Sequence, residues 1–307
     1  KWPVEETPVR AAIPRIGLPQ AGIIEGLYGI TTESALELVP SDLVGLDGPS
    51  PEELTTLKQK IAQSGRELRL GFSLQDTEYR GQLSISRKPA RISSQASTFF
   101  RIEPENLATH IETQLKLEGG GVRQLAVDLP EATGTDLRFQ LGPGVVPVVT
   151  QTPNGPVQQM VSLGMAPLRI VEQTSEAPKN GIRRWMLRLD RYATGSAMLS
   201  VDIRHARSGA GPFNCPVLAI VGAEREAGFV AIEASQEQFL TPLATDVSGQ
   251  ALIKVDPVDF PLATYRPKEP IVAGYRYTRP GWAVAVGEQR FVRAQVPTAV
   301  GNSTAYQ

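Results

Sequence analysis

Two runs of alternating apolar residues, Trp185-Leu187-Leu189 and Leu199-Val201-Ile203, constrain this chain more than any other feature. Successive side chains of a strand point to opposite faces, so each trio lies on one face. Between the trios, Ala193-Thr194-Gly195-Ser196 carries a glycine suited to a left-handed turn position. Residues 183–205 therefore read as a hairpin, with Arg188, Asp190, Asp202 and Arg204 turned away from the apolar layer. Such a hairpin belongs to a two-faced antiparallel sheet.

The same period of two recurs along the chain. Leu68, Leu70 and Phe72 alternate, then Ile111, Thr113, Leu115 and Leu117, which run into Gly119-Gly120-Gly121. Leu125, Val127 and Leu129 follow, then Leu137, Phe139 and Leu141. The runs 145–149 and 157–163 read as further strands, with Asn154-Gly155 a tight-turn signal between them. Gly and Pro, 28 and 25 residues of 307, are spread between these runs and mark turns rather than a disordered tract. One helix stands out. Ser50 suits the N-cap, Pro51 the first position, and Glu53 completes a capping box. Leu54, Leu57 and Ile61 share its apolar face, and Gly65 ends it. The expected fold is all-β: antiparallel β-sandwich modules with one short helix.

Comparing the chain with itself gives a second constraint. At an offset of 202 residues, Pro14, Ala21, Gly26, Ile30, Leu38 and Pro40 meet Pro216, Ala223, Gly228, Ile232, Leu240 and Pro242. With small gaps, Leu70 to Leu74 matches Val272 to Tyr277, and Leu83-Ser84-Ile85 matches Val284-Ala285-Val286. This period is the size of a domain, not of a solenoid repeat. It divides the chain into a β module at 1–96, a β-sandwich module at 97–215, and a repeat of the first at 216–307. The helix of the first copy has no counterpart, because Asp256-Pro257-Val258-Asp259-Phe260-Pro261 stands near its place.

The run from Leu125 through Leu129-Pro130 to Phe139 is a strand, Leu-Pro, strand element. The run from Trp185 to Ile203 is a Trp-x-Leu-x-Leu, glycine, strand element. Together they resemble the repeat modules of large uncharacterised bacterial cell-envelope and surface proteins. That resemblance implies an extracytoplasmic scaffold and carries no functional residue, while the domain-sized period suggests a segment of a longer array. The start at Lys1 rather than methionine carries the same expectation of a segment.

Catalytic equipment is hard to find. His110 and His205 lie far apart, with no second ligand at metal-binding spacing, so no metal and no cofactor is expected. No nucleophile elbow or phosphate loop occurs. Gly119-Gly120-Gly121 precedes a strand pattern, not a helix, and reads as a turn. Cys215 beside an apolar run reads as a buried small hydrophobe. The acidic pairs Glu103 with Glu105, Glu52 with Glu53, and Asp256 with Asp259 are the candidates for a carbohydrate-active enzyme.

The expected function is thus non-enzymatic, with no catalytic residues: a structural or interaction segment of a larger bacterial surface assembly. Its partners would be other protein modules, copies of itself or surface glycans. Thirty-one basic against 32 acidic residues, with no basic stripe, argue against nucleic acid. No apolar run reaches the roughly 20 residues needed to span a bilayer. The alternative is a carbohydrate-binding module. Its flat rings would be Tyr275 and Tyr277, on one strand face, with Trp282 across a turn.

Overall fold

The computed structural model describes residues 8–15, 25–75, 78–152, 155–162, 168–207, 209, 211–257, 260 and 264–290. These are mostly strand, with one α-helix, so the all-β expectation holds. None of the described helices is long and apolar enough to cross a membrane. Two compact units form. One takes the described residues up to Arg91, with Leu117–Val122 and Tyr192–Gly195, and the other takes the rest.

The first unit holds β1 (Val9–Ala12), β2 (Gly26–Thr31), β3 (Leu36–Val44), β4 (Leu46–Asp47), α1 (Pro51–Ala62), β5 (Leu68–Leu74) and β6 (Arg80–Arg87). They make two antiparallel three-stranded sheets, ordered β1-β6-β3 and β2-β5-β4. Phe72 and Leu74 of one sheet meet Leu83 and Ile85 of the other in a core that includes the fully buried Tyr79. Pro40 sits within β3 opposite Leu83, tolerated because β3 is an edge strand. The α1 capping box forms as the sequence implies: Glu53 N donates to Ser50 Oγ, and Ser50 N to Glu53 Oε2.

The second unit carries most of β7 (Ala90–Ile102), β8 (Asn106–Pro130), β9 (Arg138–Pro143), β10 (Val145–Thr152), β11 (Gly155–Ser162), β12 (Ile170–Ser175) and β13 (Ile182–Ala206). β10 and β11 pair as expected, while Asn154 of their turn and Leu163 lie outside the described residues. The expected 183–205 hairpin does not form. Those residues lie within one strand, β13, whose first half pairs with β12 and second half with β9. Gly195, at φ 81°, breaks the extended geometry within the strand instead of reversing the chain. The expected turn at Gly119-Gly120-Gly121 likewise lies inside β8, with φ of 73° and 75° at Gly119 and Gly121. β8 and β13 run side by side, tied by His110 with Asp202 near one end and Asp128 with Arg184 near the other. The apolar faces are as expected. Trp185, Leu187, Leu189, Leu199, Val201 and Ile203 are all buried, and Arg188, Asp190, Asp202 and Arg204 are exposed.

After β13 come β14 (Phe213–Asn214), β15 (Ala219–Ile220), β16 (Ala223–Glu233), β17 (Gln238–Thr245), β18 (Ile253–Val255), β19 (Ile271–Tyr277) and β20 (Ala283–Arg290). Strand for strand, β14-β20-β17 repeats β1-β6-β3, and β16-β19-β18 repeats β2-β5-β4. Registers match too. Tyr28 faces Phe72 as Val230 faces Tyr275, and Pro40 faces Leu83 as Pro242 faces Val286. Even the bulge recurs, after Ile30 in one copy and after Ile232 in the other. Register aligns Leu83 with Val286, two residues beyond the Val284 that sequence comparison suggests. A shift of two keeps the same face inward.

Two differences separate the copies. In the first, Leu57 of α1 covers the cross-strand pair Gly29 and Gly71; in the second, Phe260 stands over Gly274. The second copy is also joined in parallel to β7, from Ala223↔Ile92 to Glu233↔Arg101. A single sheet therefore runs β12-β13-β8-β7-β16-β19-β18. The described residues of 97–215, apart from Leu117–Val122 and Tyr192–Gly195, fall in the same compact unit as those of the second copy.

Candidate functional site

Tyr275, Tyr277 and Trp282 do come together, but inside the second copy's core. They are 4 %, 6 % and 4 % exposed, and Tyr277 stacks on Trp282 at 5.1 Å. This corrects the expected ring platform: the strand face shared by the two tyrosines faces the opposite sheet, so no ring face meets a sugar. Burial also pushes the Tyr277 hydroxyl up, out of the titrating range.

The densest polar chemistry lies elsewhere in the second unit, around His110 on β8. Its Nδ1 is 2.7 Å from Asp202 Oδ1 on β13, and its Nε2 is 3.4 Å from Glu112 Oε1. The Tyr265 ring stacks on the imidazole at 4.3 Å, nearly parallel, and Phe99 flanks Tyr265 at 4.7 Å. A cavity of about 420 Å³ opens beside them, also lined by Arg101 and Glu233. Arg101 reaches Glu233 at 3.2 Å and Glu103 at 2.5 Å, and Arg204 also reaches Glu103, at 3.1 Å.

Two buried carboxylates clamp one loop. Glu112 accepts the backbone N–H groups of Thr264 and Tyr265, each at 2.9 Å, and the Thr264 hydroxyl. Glu233 accepts those of Lys268 and Glu269, at 3.0 and 3.2 Å. A buried carboxylate is tolerated where such donors replace its water. Burial raises the Glu112 carboxyl, but bonds from His110 and Thr264 outweigh it and leave the pKa below the ordinary value. Burial likewise lowers the His110 pKa, yet Glu112 and Asp202 raise it further, for a net upward shift. His110 thus has both ring nitrogens engaged by carboxylates, the geometry of a pin between β8 and β13. The Thr264 hydroxyl donates to Glu112 and not to His110.

His205 is partly buried, its Nδ1 has no hydrogen-bond partner, and burial lowers its pKa. Cys215 lies in the second copy's core, where burial pushes its thiol well above the titrating range. Glu103 is held by Arg101 and Arg204, while Glu105 is exposed. Glu53 caps α1 and exposed Glu52 adds negative charge to its first turn. Asp259 lies outside the described residues. Among the described residues no three His, Cys, Asp or Glu side chains are grouped to hold a metal. At the triple glycine, a Cβ on Gly119 or Gly120 would run into the Pro89 or Lys88 carbonyl, so close backbone packing accounts for those residues.

Sequence reasoning missed Glu112, Glu233, Arg101 and Tyr265. Each acidic residue looks like a solvent-facing strand position, and partners more than 100 residues away bury it. Comparison of the chain with protein-family models and with characterised proteins found no match.

Proposed function

We propose that the chain is a non-enzymatic structural segment of a bacterial surface or envelope assembly, acting through protein modules that complete one another. One observation carries this reading. Phe100 and Ile102, from the end of β7, and Leu107 of β8 lie within the second copy's core, among Val230, Ile232 and Val286. Module-to-module burial of this kind builds arrays, as in stacked repeat proteins. The charged residues around His110 support the same role, since they pin a loop to the sheet. Sugar binding loses its rings to the core, and Glu103 and Glu53 of the acidic pairs are engaged by arginines and by the helix cap.

Fractionation of cells that make the chain tests the proposal. Added protease should cut it on intact cells, and no glycan on an array should be retained. Protection until lysis, or specific retention of a glycan, would overturn it.

A further inference from the structure

The two copies differ in what lies along their matching edge strands. β16 is covered by β7, laid parallel with Gly228↔Ala96 and Ile232↔Phe100. Among the described residues, no strand pairs with the corresponding edge of β2. Burial follows suit: Gly228, Val230 and Ile232 are buried, whereas Gly26 is exposed and Tyr28 and Ile30 are only half-buried. A Cβ on Gly228 would run into the Ala96 carbonyl, so glycine is required where β7 passes. A Cβ on Gly26 would meet nothing nearer than Leu74 Cδ1, at 3.9 Å.

The interior shows the same vacancy. In the second copy, Ile102 joins the core, and its carbonyl accepts Gln238 Nε2 at 2.8 Å. Gln238 corresponds to Leu36 by register, because each opens the strand paired with an arginine of β20 or β6. In the first copy, Leu36 instead lines a cavity of about 820 Å³, together with Ile30, Leu38, Leu83 and Ile85. These apolar side chains from both sheets form one wall of a cavity also lined by Glu33, Arg66, Glu67 and Arg69, at the place where Phe100 and Ile102 pack in the other copy.

We propose that the first module is an acceptor, completed by an extended protein strand of the β7 type. The strand lies parallel along β2, passes Gly26 with its backbone, and sets two apolar side chains, two residues apart, into the cavity. This is strand addition with pockets for alternate side chains. The residue between those two need carry no charge, because Thr31 stands where Glu233 binds Arg101. The proposal names the partner chemistry of the scaffold reading above and rests on it. Cell fractionation decides that reading and strand docking decides this one, so either can fail alone.

A synthetic peptide with the sequence of residues 92–104, added to the isotopically labelled full chain, tests the idea by amide hydrogen exchange. Exchange at residues 26–31 should slow roughly tenfold or more. Replacing Phe100→Ser and Ile102→Ser in the peptide should abolish the effect, as should Gly26→Val in the chain. The peptide variants keep the test decisive even if Gly26→Val perturbs the fold. No slowing at 26–31, or equal slowing by the serine peptide, would overturn the proposal. So would concentration-dependent protection of β2 without peptide, which would assign the edge to a second copy.

Discussion

Leu57 rests on Gly71 so closely that a Cβ added to the glycine would lie 3.0 Å from Leu57 Cδ2. Gly71 faces Gly29 across the β2–β5 pair, so the sheet presents a bare patch to the helix. Leu57→Ala should therefore cost the first unit about 2–5 kcal/mol. Gly71→Ala should cost about 1–3 kcal/mol through overpacking. The second cost should shrink in the Leu57→Ala background, where the methyl fills space. Denaturant unfolding of the four chains in a double-mutant cycle measures this; strict additivity would refute the contact.

Trp185 and Phe139 hold the second unit in the same way. Their rings sit 5.5 Å apart and both are buried. Trp185→Ala should lower stability by about 3–5 kcal/mol, because a large ring leaves a cavity that neighbours fill poorly. A variant that unfolds at the parent's denaturant midpoint would contradict this packing.

The faces of β13 were legible in the sequence although its path was not. Trp185 and Ile203 have the same parity, so a hairpin and one continuous strand bury the same residues. Gly195 offered the glycine of a turn, and only its neighbours decide otherwise: β9 and β12 pair with the two halves of a strand that runs on. The repeat was legible because Gly26, Pro40 and their counterparts mark backbone geometry, which survives when core residues change. Tyr275 and Tyr277 were correctly placed on one face, but which layer that face meets is a tertiary fact. Glu112 and Glu233 were hidden for a related reason. Their position in the alternation is polar, and distant loop N–H groups convert it from solvated to buried.

The two imidazoles should titrate on opposite sides of 6.5. His110 is raised by its carboxylates against the effect of burial, and His205 is lowered by burial. The signs differ for stability as well. The contribution of His110 is fully present below pH 6.5 and drains as pH rises through its higher folded value. His205 opposes this, costing stability as pH falls below 6.5. Proton NMR of the ring signals, assigned with His110→Gln and His205→Gln, checks both. Asp202→Asn should move only the His110 titration downward. A His110 titration at or below 6.5 would show that the carboxylates do not govern it, and a His205 titration above 6.5 would show the same of burial.

Gly26 and Gly228 hold matching places in the two copies, yet their substitutions should differ. Valine at 228 has to displace the Ala96 carbonyl, part of a strand hydrogen-bonded on into β8, so the clash cannot be relieved by a side-chain rotation. Gly228→Val should cost about 3 kcal/mol or more, or part β7 from β16. Gly26→Val meets only ordinary van der Waals contact with Leu74, on strand geometry where valine is favoured, and should be neutral within about 0.5 kcal/mol. Unfolding midpoints of both variants, with exchange rates along β16, measure the contrast. Equal costs would mean that the edge of β2 is already occupied, or that β7 yields freely at Ala96. In either case, the parallel pairing would not be what separates the two copies.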